Sequence, residues 1–146
     1  MTKLVKRALW LVGLAALTVA LMLSGGGKPA QAKHDGCTLR TIDGSYGYTV
    51  TGTNLALGLV AAVGRVASDG QGNLTGADTL SAVGNIVRRT ITGTYTVTPA
   101  CTGTVTFTDN FGQTVNLDYV AVDRGGELQF IQTDPGTVFT GFARKQ

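Results

Sequence analysis

The 146-residue chain holds one histidine, one tryptophan, two cysteines, two methionines and three prolines, and each shortage removes a class of function. His34 is the single imidazole, and it lies in an N-terminal stretch of the kind that is rarely ordered unless tied down. Histidine-based acid–base catalysis and a serine–histidine triad are therefore excluded as working hypotheses. No histidine, cysteine or carboxylate cluster has the spacing of a ligand set, so neither a metal nor any other cofactor is expected. The glycine-rich stretches lack the following lysine and helix that cradle phosphate. Charge is sparse as well. Arg88-Arg89 and Arg144-Lys145 are the only hints of a basic cluster, and adjacent residues on a strand point to opposite faces, so no nucleic-acid partner is expected.

What is present begins with a leader. Lys3, Lys6 and Arg7 precede a stretch from Ala8 to Leu23 without a charged residue, and Ser24-Gly25-Gly26-Gly27 breaks it. Ala30-Gln31-Ala32 then supplies the small residues of a cleavage site. Residues 1–32 are accordingly read as a signal peptide, cut after Ala32, and the protein as exported to the periplasm or beyond. The apolar stretch is shorter than the roughly 20 residues of a membrane span, so membrane contact is expected only through an uncleaved leader. Cleavage would remove Lys3, Lys6, Arg7 and Lys28, leaving eight basic against nine acidic residues. The basic pI of about 9.1 thus belongs largely to the leader.

The remainder is read as a segment over 33–43 and one domain over 44–146, a length that suits a modest core. Its two cysteines, Cys37 and Cys101, are bound for an oxidising compartment, and a disulfide is the natural reading. In the chain-entropy picture such a link is worth about 4 kcal/mol, and it would clamp the start of the domain to its middle.

From Gly44 onward, two-periodic runs alternate with turn signals. The runs are Tyr46–Thr53, Leu59–Ser68, Leu74–Val83, Ile86–Thr98, Cys101–Thr108, Thr114–Val122, Glu127–Gln132 and Thr137–Arg144. Ile91, Tyr95 and Val97 share one face against four threonines on the other, the mark of a half-buried antiparallel strand. Leu55 to Val63 is ambiguous, because its leucines and alanines would tolerate a short helix. Glycines recur inside the runs, at Gly52, Gly64, Gly76, Gly93, Gly103 and Gly141 among others, and a strand glycine usually marks a bend. Repeated bends are what closing a sheet requires, so the expected fold is all-β, an antiparallel barrel of about eight strands. An outer-membrane barrel would need a lipid-facing apolar band, whereas the outward faces here carry threonine.

The polar residues within apolar strands are the candidates for a ligand site. Asp118 shares a face with Asn116, Val120 and Val122, and if that face is internal its carboxylate needs a partner. Arg88 or Arg89, whichever points inward, could serve, with Tyr46, Tyr48, Tyr95, Tyr119 and Gln132 as further hydrogen-bonding candidates. The competing expectation is that these groups satisfy one another or face water. No catalytic residue is identified. Asn73-Leu74-Thr75 matches a glycosylation sequon, a coincidence in a chain with this kind of leader.

Gly44-Ser45-Tyr46-Gly47-Tyr48, Thr92-Gly93-Thr94-Tyr95-Thr96-Val97 and Phe130-Ile131-Gln132-Thr133-Asp134-Pro135-Gly136-Thr137 resemble stretches of uncharacterised small secreted bacterial β-barrel proteins. The architecture this implies is similar to the allene oxide cyclase-like and calycin-like barrels, and it brings no catalytic residue that can be matched position by position. Avidin-like barrels are a second comparison, on Asn73-Leu74-Thr75-Gly76. Their biotin sites rely on tryptophan, and the only tryptophan here, Trp10, lies in the leader. The leading expectation is a non-enzymatic exported barrel that binds a small, largely apolar molecule in its interior. A cyclase or isomerase is the enzymatic rival, and a structural or surface-interaction module with a filled core the third reading. An internal cavity of several hundred Å³ would separate the first two from the third. The sequence is silent on oligomeric state.

Overall fold

Eight strands follow one another in sequence and in space in the computed structural model, which describes residues 36–146. They are β1 (Gly44–Asn54), β2 (Gly58–Ser68), β3 (Asn73–Ala82), β4 (Asn85–Tyr95), β5 (Thr102–Asp109), β6 (Thr114–Val122), β7 (Glu127–Gln132) and β8 (Thr137–Lys145). Every neighbouring pair is antiparallel, and β8 returns to pair with β1 from Tyr46↔Lys145 to Asn54↔Thr137, closing the barrel. The expected leader lies outside the described residues. Leu55–Leu57, within the stretch that could have been helical, forms the turn between β1 and β2.

Closure depends on the inward-facing glycines. A Cβ on Gly52 would collide with the Val138 carbonyl and the Phe139 ring, one on Gly141 with the Thr49 carbonyl and Phe130, and one on Gly103 with the Thr96 carbonyl and Tyr119. A neighbouring aromatic thus fills the space each missing side chain leaves, which permits a tight bend without a void.

The two ends are built differently. At one, a 3-10 turn (Leu39–Ile42) lies across the opening and buries Ile42 among Tyr46, Leu74, Tyr95 and Tyr119. The Cys37–Cys101 disulfide ties this segment to the start of β5, and the Cys37 N–H donates to the Pro99 carbonyl at 3.2 Å. Among the described residues, the other end carries only the turns β1–β2, β3–β4, β5–β6 and β7–β8.

One of those turns is strained. Val83 and Gly84 connect β3 to β4 with φ of 48° and 87°, the mirror-image hairpin geometry that favours Asn-Gly and resists a β-branched residue. Replacing Val83 with asparagine is expected to raise stability by about 1 kcal/mol, read as an upward shift of the urea midpoint at unchanged slope.

Candidate functional site

Strand parity decides what enters the barrel, and the interior falls into two regions. Near the plugged end stand three tyrosines whose rings are core and whose hydroxyls are spent on backbone carbonyls. Tyr46 donates to Gly125 at 2.6 Å, Tyr95 to Leu39 at 3.2 Å and Tyr119 to Thr96 at 2.5 Å. These bonds reach across long sequence separations, pinning the β6–β7 turn, the 3-10 segment and the stretch after β4 to the wall.

Towards the uncapped end the interior turns ionic. Leu74, Gly76, Asp78 and Leu80 share the inward face of β3, as do Val87, Arg89 and Ile91 on β4 and Val105, Phe107 and Asp109 on β5. Arg89 grips Asp78 in a two-pronged contact, Nε to Oδ1 at 2.9 Å and Nη2 to Oδ2 at 2.6 Å. Its Nη1 reaches Asp109 Oδ2 at 3.4 Å, and the Tyr48 hydroxyl donates to Asp78 Oδ2 at 2.6 Å. The Asp78 side chain is wholly shielded from solvent and Arg89 only 13% exposed, so this is a desolvated charge cluster. Burial opposes the charged guanidinium, but the hydrogen bond and charge of Asp78, aided by Tyr48 and Asp109, outweigh it and hold the Arg89 pKa above its ordinary value. Burial, together with donation to Asp78, drives the Tyr48 pKa far above the usual phenol range. Asp109 also accepts from the Phe111 and Gln113 N–H groups, which ties the cluster to the β5–β6 turn.

The residues singled out from sequence divide accordingly. Tyr46, Tyr95 and Tyr119 lie at the plugged end. Tyr48 joins the ionic cluster, and Gln132 faces inward near the uncapped end, donating to Asp134 at 2.9 Å. Arg88 and Asp118 are exposed on the outer wall, which corrects the internal placement considered for them. The inward set of β6 is Val115, Leu117, Tyr119 and Ala121; that of β4 holds Arg89 instead of Arg88. Arg89 is the inward one of the two arginines weighed as partner to a buried carboxylate, and the carboxylates it meets, Asp78 and Asp109, were missed, although each stands at the inward parity of an otherwise apolar strand face.

Half-buried apolar residues line the barrel above the cluster: Val50, Leu80, Val87, Val115 and Leu117. Two grooves among the described residues open on the outer wall. The larger, about 1020 Å³, runs across β5–β8 and β1 past Thr51, Thr104, Asp118, Gln129 and Phe142. The smaller, about 390 Å³, passes Val63, Thr79, Arg88 and Asn110. Among the described residues every buried side-chain nitrogen or oxygen has a hydrogen-bond partner.

A de novo designed fluorescence-activating β-barrel superposes with a TM-score of 0.55 at 10% identity, covering 74% of this chain and 96% of that one. The redesigned barrel mFAP1, solved bound to DFHBI, gives 0.55 at 15% identity over 74% and 98%. Another redesigned barrel gives 0.53 at 20% over 75% and 95%. The likeness is one of fold. No protein-family model and no curated protein matches the chain.

All four tyrosines are held protonated beyond their ordinary range. Burial is the chief cause, pushing Tyr46 up to about 12 and raising Tyr95 and Tyr119 as well as Tyr48. A folded pKa above the unfolded value of 10.0 gives stability that is complete below pH 10 and lost as pH rises through the folded values. Phenolate absorbance is therefore expected to appear in one cooperative step above pH 10, together with loss of the β-sheet circular dichroism. Tyrosines titrating one by one in an intact barrel would contradict this.

Proposed function

We propose that the protein is an exported, disulfide-stapled barrel that holds a small, largely apolar molecule at its uncapped end. The observation that carries this reading is the asymmetry of the two ends: one sealed by a covalently tethered segment, the other bounded by short turns above half-buried apolar walls. The Tyr48–Asp78–Arg89–Asp109 cluster forms a polar floor beneath those walls, which suits a ligand with one polar group on an apolar body. A designed barrel of the same fold is solved bound to DFHBI, in keeping with small-molecule binding by such a scaffold. Export follows from the leader pattern, and the Cys37–Cys101 bond suits a non-reducing compartment.

A filled structural module is the second reading, favoured by the grooves that open outside the barrel and by the satisfied interior polar groups. The cyclase or isomerase reading rests on the allene oxide cyclase-like resemblance and would draw on Tyr48, the hydroxyl nearest the uncapped interior. Native mass spectrometry of the protein purified from its own producer separates binder from module. A retained small molecule, lost when Leu117 is replaced with tryptophan, is the expected result; a bare protein mass from producing cells favours the module.

A further inference from the structure

All four turns at the uncapped end present an apolar residue at or beside the apex: Leu55 and Leu57, then Val83, Phe111 and Pro135. Leu55 is 88% exposed, Leu57 56%, Val83 68% and Phe111 61%, and the outward-facing Leu59 and Ile86 beneath them are 72% and 57% exposed. The opposite end is polar, with Asp69, Asp123, Arg124, Glu127, Arg144 and Lys145 at its turns and strand ends. At the apolar end Asp134 is occupied, accepting from the Asn116 backbone and amide and from the Gln132 amide. Arg88 is exposed two residues below Ile86 on the same outer face of β4 and makes no ion pair among the described residues.

We infer that this end is a lipid-contacting tip, whose turns dip into the interfacial zone of a bilayer while Arg88 meets the phosphate of a lipid headgroup. Three observations favour a bilayer. The four turns carry a single charge, Asp134, whose carboxylate is taken up by the Asn116 and Gln132 donors, and a lone cation, Arg88, stands one step back, where an anionic phosphate layer begins. Val83 keeps an apolar side chain at a position where its backbone conformation favours asparagine or glycine, so stability is forgone for a greasy apex. The apices stand on separate turns round an opening, and such a broken rim suits a fluid surface better than the flush face of about 1,200 Å² or more that a stable dimer needs. This contact is distinct from any made by the leader, and it stands apart from the interior ligand.

The test is co-sedimentation of the exported protein with vesicles of phosphatidylcholine, alone or containing phosphatidylglycerol. Wild type and variants are carried in the same processed form, so that residues 1–35 contribute equally. Leu55→Ser together with Leu57→Ser is expected to weaken partitioning about tenfold or more. Val83→Asn is expected to weaken it about threefold while raising the urea midpoint, which separates lost contact from lost folding. Arg88→Gln should abolish an extra affinity of about fivefold conferred by phosphatidylglycerol and leave binding to phosphatidylcholine unchanged. Failure of the wild type to sediment, or equal sedimentation of all variants, overturns the inference. So does a lipid-free dimer that the leucine substitutions abolish, since the occupant would then be a second copy.

Discussion

Replacing Asp78 with alanine is expected to cost about 3–5 kcal/mol of unfolding free energy, a large part of what a domain of this size possesses. Three interactions end on that carboxylate: both prongs of the Arg89 guanidinium and the Tyr48 hydroxyl. Without it, Arg89 keeps only the 3.4 Å contact with Asp109 inside the barrel, and Tyr48 loses its acceptor. The loss would show as a fall in melting temperature on the order of 15 °C. A triple variant, Asp78→Leu with Arg89→Met and Tyr48→Phe, is expected to recover most of it, because hydrocarbon in place of a buried ion pair removes the desolvation cost along with the attraction. If the single substitution costs less than about 1 kcal/mol, the cluster is more hydrated than its burial implies.

Replacing Cys37 and Cys101 with serine is expected to cost about 4 kcal/mol, the chain-entropy value for a link across a separation of 64 residues. The effect should also be local. The segment from Cys37 to Asp43 meets the barrel through Leu39 and Ile42, the Tyr95 hydroxyl bond and the Ser68 hydroxyl, which donates to the Ile42 carbonyl. Freed of its covalent tether, it should open ahead of the barrel. Hydrogen exchange at the Thr41 and Asp43 N–H groups, which donate to the carbonyls of Thr38 and Arg40, should then accelerate more than exchange in β1–β3. Uniform acceleration would mean that the plug and the wall unfold as one unit.

All eight strands were legible in the sequence. The expected Thr114–Val122 and Glu127–Gln132 coincide with β6 and β7, and the other six deviate only at their ends, most at β4, which stops at Tyr95 instead of Thr98. The reason is local: alternation of threonine with apolar residues, punctuated by glycine, asparagine and aspartate, is a property of each segment by itself. The repeated strand glycines also pointed correctly to closure, because a missing Cβ leaves room for the bend wherever the neighbouring strand lies. The seal made by Leu39–Ile42 was not legible, since four residues carry no periodic signal and its stability comes from the tyrosines it meets.

The alternation of each strand, the places where the chain turns and the availability of two cysteines to pair are local properties written into the residues. Which of the two faces points inward is settled only once the strands close on one another. On β6 both faces carry apolar residues, so Asn116-Asp118-Val120 and Val115-Leu117-Tyr119 are equally plausible linings until the strand is set between β5 and β7. The same holds for Arg88 and Arg89, one residue apart and on opposite sides of the wall. Parity relative to a closed sheet depends on how all the registers fit together round the barrel, and that fit places Asp78, Arg89 and Asp109 together inside while the leucines of the β1–β2 turn stand out into solvent.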